Sequence, residues 1–143
     1  MKTDIIQKAI IFNDQGLMLI LRRSSSDDRR PHQWDLPGGE LEDSEEFLDG
    51  VHREIKEETN LEVTNIRLVF SKTEVKTWEK NGQKDTANIV RLIYIAKAKP
   101  GEVVLSYEHE EFRWMLIEEA IKIYEYPTHI EILQYVLDNQ LID

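Results

Sequence analysis

Three glutamates at helical spacing are the residues in this sequence most able to do chemistry. Glu54, Glu57 and Glu58 stand at positions i, i+3 and i+4, which places their carboxylates on one flank of a helix. Three ionised carboxylates this close repel one another and need protonation, a cationic partner or a metal ion. Arg53 can neutralise only one of them. Oxygen ligands in this number suit Mg²⁺ or Mn²⁺, and Mg²⁺ is usually bound together with substrate phosphates.

The residues around these glutamates predict a helix from residue 44 to residue 59, which would hold the carboxylates in place. Its apolar stripe is formed by Phe47, Leu48, Val51 and Ile55. Glu58 lies about 35° from the centre of that stripe on the helical wheel, so we expect its side chain to point into the protein. Asp43 or Ser44 can cap the start of the helix. Asn60 suits the left-handed conformation that ends it.

The segment from Gly39 to Leu61 resembles a known family motif. After Gly39 come five residues, Glu45, seven residues, and then Arg-Glu-Ile-Lys-Glu-Glu-Thr-Asn-Leu. This strongly resembles the Nudix box of the MutT/Nudix hydrolase superfamily, Gly-x5-Glu-x7-Arg-Glu-U-x-Glu-Glu-x-Gly-U, where U is a bulky aliphatic residue. Every fixed position matches except the second glycine, which is Asn60 here, and Asn also tolerates the left-handed conformation. The preceding residues 34–39, Trp-Asp-Leu-Pro-Gly-Gly, are similar to the approach to that box.

The resemblance implies roles for the residues of the box. Glu57 and Glu58 would be metal ligands, and Glu54 would be a further ligand or the base that activates water. The backbone carbonyl of Gly38 would complete the coordination of the metal. The remaining two fixed residues, Glu45 and Arg53, would order the helix and the loop around the metal. The implied reaction is attack of water on a diphosphate phosphorus with Mg²⁺ as cofactor, for which Mn²⁺ can substitute.

Two arginines and a tryptophan outside the box are candidate substrate-binding residues. Arg22 and Arg23 end a predicted strand and can clamp phosphate, with Arg23 favoured, although both also fit solvated charges at a strand end. Segment 22–33 has four arginines and two aspartates, a net charge of +2 that could steer an anion. Trp34 can stack on a nucleobase, although packing in the core is the more common role of a single aromatic residue.

An acidic segment late in the chain offers another candidate catalytic residue. Many members of the resembled family place an additional catalytic or metal-binding glutamate before a tryptophan such as Trp114. Glu111 is the first choice for this role and Glu110 the second. An ordinary acidic loop is the alternative interpretation.

The hydropathy pattern predicts one α/β domain of the α+β type, spanning residues 1–143, with a mixed β-sheet. Strands are predicted at 5–12, 17–22, 61–70, 72–79, 86–98, 102–107 and 111–116, and helices at 44–59, 118–123 and from Pro127. Because several strands separate the helices, the pattern differs from a regular βαβ repeat. The resemblance implies a Nudix-like α/β/α sandwich.

Composition excludes several classes of protein. Of the formal net charge of −10, a charge of −7 lies in residues 39–61, which contain nine acidic and two basic side chains. So acidic a chain is not expected to bind nucleic acid generally, because that needs clustered Lys and Arg. It has no cysteine and no apolar run long enough to span a membrane. No signal peptide is recognised, and we expect a cytoplasmic protein.

The substrate is predicted only by elimination within the resembled family. A nucleoside or deoxynucleoside triphosphate, including one with an oxidised base, ranks first, with hydrolysis to a monophosphate and pyrophosphate. Lys76 lies where many ADP-ribose enzymes have a proline, and the signatures of the dinucleoside polyphosphate and NADH branches are missing. Other nucleotide derivatives, an RNA 5′ end and a non-catalytic nucleotide-binding regulator remain alternatives. A homodimer is an expectation taken from the family alone.

Overall fold

In the computed structural model, which describes residues 1–142, seven strands form one sheet and three helices pack against its two faces. The strands are β1 (Lys2–Phe12), β2 (Met18–Arg23), β3 (Trp34–Asp35), β4 (Gly38–Glu40), β5 (Val63–Lys80), β6 (Gln83–Ala98) and β7 (His109–Met115). The helices are α1 (Phe47–Thr59), α2 (Ile117–Ile123) and α3 (Pro127–Asp138). None of the helices within residues 1–142 is long and apolar enough to cross a membrane.

The sheet is mixed, as predicted. Its strand order is β3-β2-β1-β6-β5, with β4 also paired to β1 and β7 also paired to β2. The central pair β1–β6 is parallel, from Lys2 opposite Ala87 to Phe12 opposite Lys97, and every other pair is antiparallel. The long connection needed between parallel strands contains β2, β3, β4, α1 and β5, which places α1 against one face of the sheet.

Alternation along β1 divides the core into two layers. Ile10 and Phe12 point to one face, where they pack with residues of α2 and α3. Ala9 and Ile11 point to the other face, where Val51 of α1 covers them. The predicted α/β/α sandwich is therefore confirmed, with the sheet between α1 and the α2–α3 pair.

Strands β5 and β6 extend beyond the rest of the sheet as a two-stranded ribbon. Lys76 pairs with Ala87, and Ala87 is the first residue of β6 that also pairs with β1. Residues 77–86 therefore pair only within the ribbon. The turn at its tip has positive φ at both Asn81 and Gly82, 54° and 77°, as expected for the Asn-Gly hairpin signal.

Two strand predictions need correction. The predicted strands 61–70 and 72–79 are one continuous strand, β5, whose irregularities are register shifts near Thr64 and Leu68 and not a loop. The predicted strand 102–107 does not form. Its apolar residues Val103 and Leu105 pack on the α1 side of the core, and the N–H of Val104 donates to the carbonyl of Thr59 at the end of α1. The alternating hydropathy of residues 102–107 therefore comes from apolar side chains that pack on the core, although the segment pairs with no strand within residues 1–142.

The start of α1 also differs from the prediction. The helix begins at Phe47, three residues later than expected, because Ser44 has a φ of +62° and Glu46 is extended. Neither Asp43 nor Ser44 caps it, and Glu46 at the cap position makes no side-chain hydrogen bond to the helix. Phe47 and its neighbour are half-exposed, because only the later turns of α1 reach the sheet. The predicted end is confirmed, since Asn60 is left-handed with a φ of 66°.

Candidate active site

One large cleft, of about 790 Å³, lies beside the C-terminal half of α1. Part of the lining, which we call the acidic wall, comprises Gly38, Gly39, Glu42, Glu54, Glu57 and Glu58. Another part, which we call the basic wall, comprises Arg23, Arg29, Arg30, Lys76 and Arg91. The volume is within the usual range of about 300–1,000 Å³ for a site that encloses one small ligand.

Two glycines bring the chain close to the glutamates of α1. Gly38 has a φ of +135°, and a Cβ atom there would lie 2.0 Å from the carbonyl oxygen of Gln7. Its N–H donates to Oε1 of Glu58 at 2.9 Å. A Cβ atom on Gly39 would lie 2.6 Å from the carboxylate of Glu54. The Gly-Gly pair is therefore required for β4 to pass directly over two of the three carboxylates.

Burial changes the acidity of the glutamates that face inward. Glu58 is only 4% exposed, and burial raises its pKa to about 7 despite the hydrogen bond from Gly38 and the nearby Lys8 ammonium. Burial also raises the pKa of Glu54, against the opposing effect of Arg53. In contrast, Glu57 is largely exposed. An additional positive charge at this wall would stabilise the ionised form of both buried carboxyl groups.

Arg53 ties the carboxylates of the predicted motif together. Its Nε donates to Glu45 at 2.6 Å and its Nη1 donates to Glu54 at 3.0 Å. The same Nη1 lies 3.3 Å from Glu57. The bond from Arg53 is the main reason why the pKa of Glu45 is lowered to about 2. The structure thus joins four of the five charged side chains of the motif through Arg53, and the fifth, Glu58, is bonded to the Gly38 N–H instead.

Lys8 and Asp35 form a buried ion pair under the cleft that the sequence analysis missed. Nζ of Lys8 donates to the carbonyl oxygens of Leu36 and Gly38, both at 3.2 Å, and lies 3.4 Å from Oδ2 of Asp35. Arg23 donates to the same Oδ2 at 2.7 Å. Burial alone would raise the pKa of Asp35, but Lys8 and its other polar neighbours hold it well below the usual value. Both cations are therefore fixed by one carboxylate that stays ionised.

Two histidines complete this buried cluster. Nε2 of His129 lies 3.4 Å from Asp35, and Nε2 of His109 lies 4.0 Å from it. Burial lowers the pKa of His129 to about 3, so its ring is neutral at physiological pH. The Nδ1 atoms of both rings are buried without a hydrogen-bond partner among the described residues. Both histidines line the cleft.

The other predicted site residues occupy different places. Arg23 lines the cleft, where Asp27 and Asp35 hold its guanidinium, whereas Arg22 lies outside the lining and donates to the carbonyl of His32. Trp34 is a core residue, with the Arg113 guanidinium 4.9 Å from its ring centroid, and does not line the cleft.

The acidic segment before Trp114 also divides between two environments. Glu111 pairs with Arg113 at 2.8 Å and Glu110 lies 2.8 Å from Nδ1 of His32, and neither lines the cleft. Glu108 does line it. The cause is a register shift in the β2–β7 ladder, where Arg22 pairs with Glu111 but its neighbour pairs with His109.

Comparison with known proteins identifies the family. The family model described as the NUDIX domain matches residues 5–136, which is nearly the whole chain. The chain belongs to the Nudix hydrolase family. Enzymes of this family hydrolyse small nucleotide substrates and generally use divalent metal ions.

Relatives of this Nudix protein carry several different activities in their names. A bis(5′-nucleosyl)-tetraphosphatase (asymmetrical) of Caenorhabditis elegans is 31% identical over 97 residues, which are 67% of this chain and 67% of that protein. The nucleoside triphosphatase NudI of Escherichia coli is 28% identical over 117 residues, 78% of this chain and 81% of that protein. Among solved structures, a MutT protein from Methanosarcina mazei is 27% identical, covers 96% of both chains and has a TM-score of 0.71.

The Nudix carboxylates suit a divalent metal ion by their chemistry. No three acidic, histidine or cysteine side chains within residues 1–142 already surround one point as metal ligands do. The acidic wall nevertheless collects the carboxylates of Glu54, Glu57 and Glu58, that of Glu42 and the Gly38 carbonyl in one cleft, and Glu54 and Glu57 are turned toward Arg53. These are the hard oxygen donors that Mg²⁺ and Mn²⁺ prefer. The donor types and the surplus of negative charge therefore fit a divalent cation.

Proposed function

We propose that this Nudix hydrolase cleaves a phosphoanhydride bond in a nucleoside diphosphate linked to another group, X. The first candidate is a nucleoside or deoxynucleoside triphosphate, including one with an oxidised base, cleaved to the monophosphate and pyrophosphate. The observation that supports this proposal is the cleft itself, whose lining combines carboxylates suited to a metal ion with arginines and a lysine suited to phosphate. The name of the E. coli relative, a nucleoside triphosphatase, agrees with it.

The cofactor in this proposal is Mg²⁺, for which Mn²⁺ can substitute. Glu57, Glu58 and the Gly38 carbonyl would hold it, with Glu54 either as a further ligand or as the base that activates water. When bound, a metal ion at such a site neutralises phosphate charge and makes water more acidic. Arg53, with its bonds to Glu45 and two of these glutamates, positions the carboxylates.

Glu54 is the proposed general base. It lines the cleft, and its carboxylate lies directly beside Gly39 on the acidic wall, where an attacking water would be activated. Glu110 and Glu111 lie outside the lining, so of the acidic segment before Trp114 only Glu108 remains near the substrate. Arg23 is the proposed fixed positive charge for a substrate phosphate, since two aspartates prevent its guanidinium from moving.

A dinucleoside polyphosphate is the second candidate substrate. The C. elegans relative, named as an asymmetrical bis(5′-nucleosyl)-tetraphosphatase, is 31% identical over a stretch that covers two thirds of this chain. Both candidates share the attacked diphosphate unit and differ in what lies beyond it.

The test is a substrate screen with Mg²⁺ that separates phosphate from pyrophosphate among the products. Nucleoside triphosphates should yield monophosphate and pyrophosphate, and Glu57→Gln should abolish this turnover. Asp49→Asn is the matched control, because Asp49 lies on the same helix with an exposed side chain and does not line the cleft. Tight binding of a nucleotide without any turnover across the panel would favour a non-catalytic regulator instead.

A further inference from the structure

Three residues of the basic wall cluster around Tyr126, and the proposed function does not say which phosphate of the substrate they would bind. We call the residues Arg30, Lys76, Arg91 and Tyr126 the distal cluster. Nζ of Lys76 donates to the Tyr126 hydroxyl at 2.8 Å, and Nη2 of Arg91 donates to it at 3.1 Å. The Arg30 guanidinium lies 4.0 Å from the centroid of the tyrosine ring. Three cations from a loop and two strands thus meet at one side chain at the start of α3.

Positive charge in the distal cluster exceeds the negative charge that faces it. Glu74 pairs with Arg91 at 3.0 Å and lies 3.7 Å from Lys76. Arg30 makes no ion pair within the described residues, and its Nη1 atom is buried without a hydrogen-bond partner there. Among the described residues, Glu74 is the one carboxylate within ion-pair distance of these three cations, and Asp27 and Asp35 act on Arg30 from farther away. A phosphate group, with a charge of about −1.5 to −2 at pH 7, would complement the positive charge that the cluster presents to the cleft.

The geometry disfavours a nucleobase at this position. A base would have to stack on the ring of Tyr126, but Arg30 covers one face at 4.0 Å. The ring of His129 meets Tyr126 edge-on, with 5.0 Å between the centroids and 79° between the planes. What the cluster offers to the cleft is therefore guanidinium and ammonium N–H groups, which bind phosphate oxygens well.

We propose that the distal cluster is a phosphate subsite for the part of the substrate beyond the attacked bond. Because the acidic wall and the distal cluster line the same cleft, a ligand whose diphosphate lies at the acidic wall can extend its group X toward the cluster, whose N–H groups would bind a phosphate on X. X is then a phosphate or polyphosphate chain. A neutral sugar in this place would leave the positive charge of the distal cluster without a negative partner. This inference rests on the proposed function, since it assigns the identity of X in that reaction.

Binding of inorganic tripolyphosphate in the presence of chelator tests the subsite without turnover. With no metal on the acidic wall, calorimetry should detect tripolyphosphate bound by the basic wall. Arg30→Gln and Lys76→Gln should each weaken it by about tenfold or more, the usual effect of losing one charge-assisted contact. Lys80→Gln is the matched control, because it removes the same charge from the same strand at the ribbon tip, outside the cleft. Melting curves establish that each variant is folded.

The outcomes separate this inference from the proposed function. No binding by the wild type, or equal binding by all variants, overturns the subsite. If tripolyphosphate binds as expected but no nucleotide is hydrolysed, the proposed function fails and the subsite remains.

A kinetic comparison tests the assignment of X. The ratio of kcat/KM for a nucleoside triphosphate to that for the corresponding nucleoside diphosphate sugar should exceed one in the wild type. The ratio should fall in Arg30→Gln and Lys76→Gln, and stay at the wild-type value in Lys80→Gln. A wild-type preference for the diphosphate sugar overturns the assignment.

Discussion

Replacing Glu58 by Gln should stabilise the metal-free protein at alkaline pH. The side chain is buried, and burial raises the pKa of its carboxyl group to about 7 in the folded state from 4.5. A carboxyl group with a raised pKa favours folding while it is protonated, and this contribution is lost as pH rises through the folded value. Gln cannot ionise, and its amide oxygen can still accept the hydrogen bond from Gly38.

The size of the effect follows from the two pKa values of Glu58. A shift from 4.5 to about 7 corresponds to roughly 3 kcal/mol of unfolding free energy in total, of which about 2.5 kcal/mol is lost between pH 5 and pH 8. The free energy of unfolding of Glu58→Gln minus that of wild type should therefore be about 2.5 kcal/mol larger at pH 8 than at pH 5, which means that the variant is relatively more stable at pH 8. Any pH-independent cost of the amide cancels in this comparison.

Urea unfolding with chelator at the two pH values measures this difference. Glu57→Gln is the matched control, because the same change at an exposed position of the same helix should leave the pH dependence of the wild type in place. Adding Mg²⁺ at pH 8 should raise the free energy of unfolding of the wild type. The increase should be smaller for Glu58→Gln, because this variant has lost one charged ligand. Identical differences between Glu58→Gln and wild type at pH 5 and pH 8 would refute the desolvation of Glu58.

Three other predictions concern the site and its support. Glu57→Gln should lower kcat by about two orders of magnitude or more with an unchanged circular dichroism spectrum, and near-normal turnover would place the essential carboxylates elsewhere. Gly39→Ala should displace the Glu54 carboxylate and lower kcat with little change in urea unfolding, because the end of the Glu54 side chain can move, whereas an unchanged kcat would contradict that contact. His129→Gln should reduce the loss of stability below pH 6.5, because between pH 6.5 and about 3 only the unfolded wild type binds a proton at His129. Parallel curves of unfolding free energy against pH for the variant and wild type would contradict the burial of His129 as a neutral ring.

The box on α1 could be predicted from the sequence because its geometry is local. Helical periodicity alone directed Glu58 inward, and the structure places it at 4% exposure. The turn preference of Asn60 correctly predicted where the helix ends. The start of the helix was not predictable, because Ser44 adopts a left-handed conformation that competes with capping.

The remaining parts of the cleft depend on contacts between distant segments. The distal cluster joins positions 30, 76, 91 and 126, which only the folded sheet brings together. Glu111 was expected near the substrate from the family resemblance alone, and the register shift between β2 and β7 is a pairing detail that the resemblance could not supply. Asp35 did carry a signal, since it is a charged residue between the apolar residues Trp34 and Leu36, whereas Lys8 follows the polar Gln7 and did not stand out.

The ribbon formed by residues 77–86 separates the tip of the β5–β6 hairpin from the chemistry. Lys76 lies opposite Ala87, where β6 begins to pair with β1. Lys76, which lines the cleft, is therefore held in three-stranded sheet, whereas the tip of the hairpin is held only by the two strands of the ribbon. Backbone amides of the ribbon should therefore exchange their hydrogens with solvent much faster than those of the β1–β6 ladder. The turn at Asn81-Gly82 is then a natural point for inserting a peptide tag or a reporter domain, because added residues there lengthen the ribbon without moving the wall of the cleft.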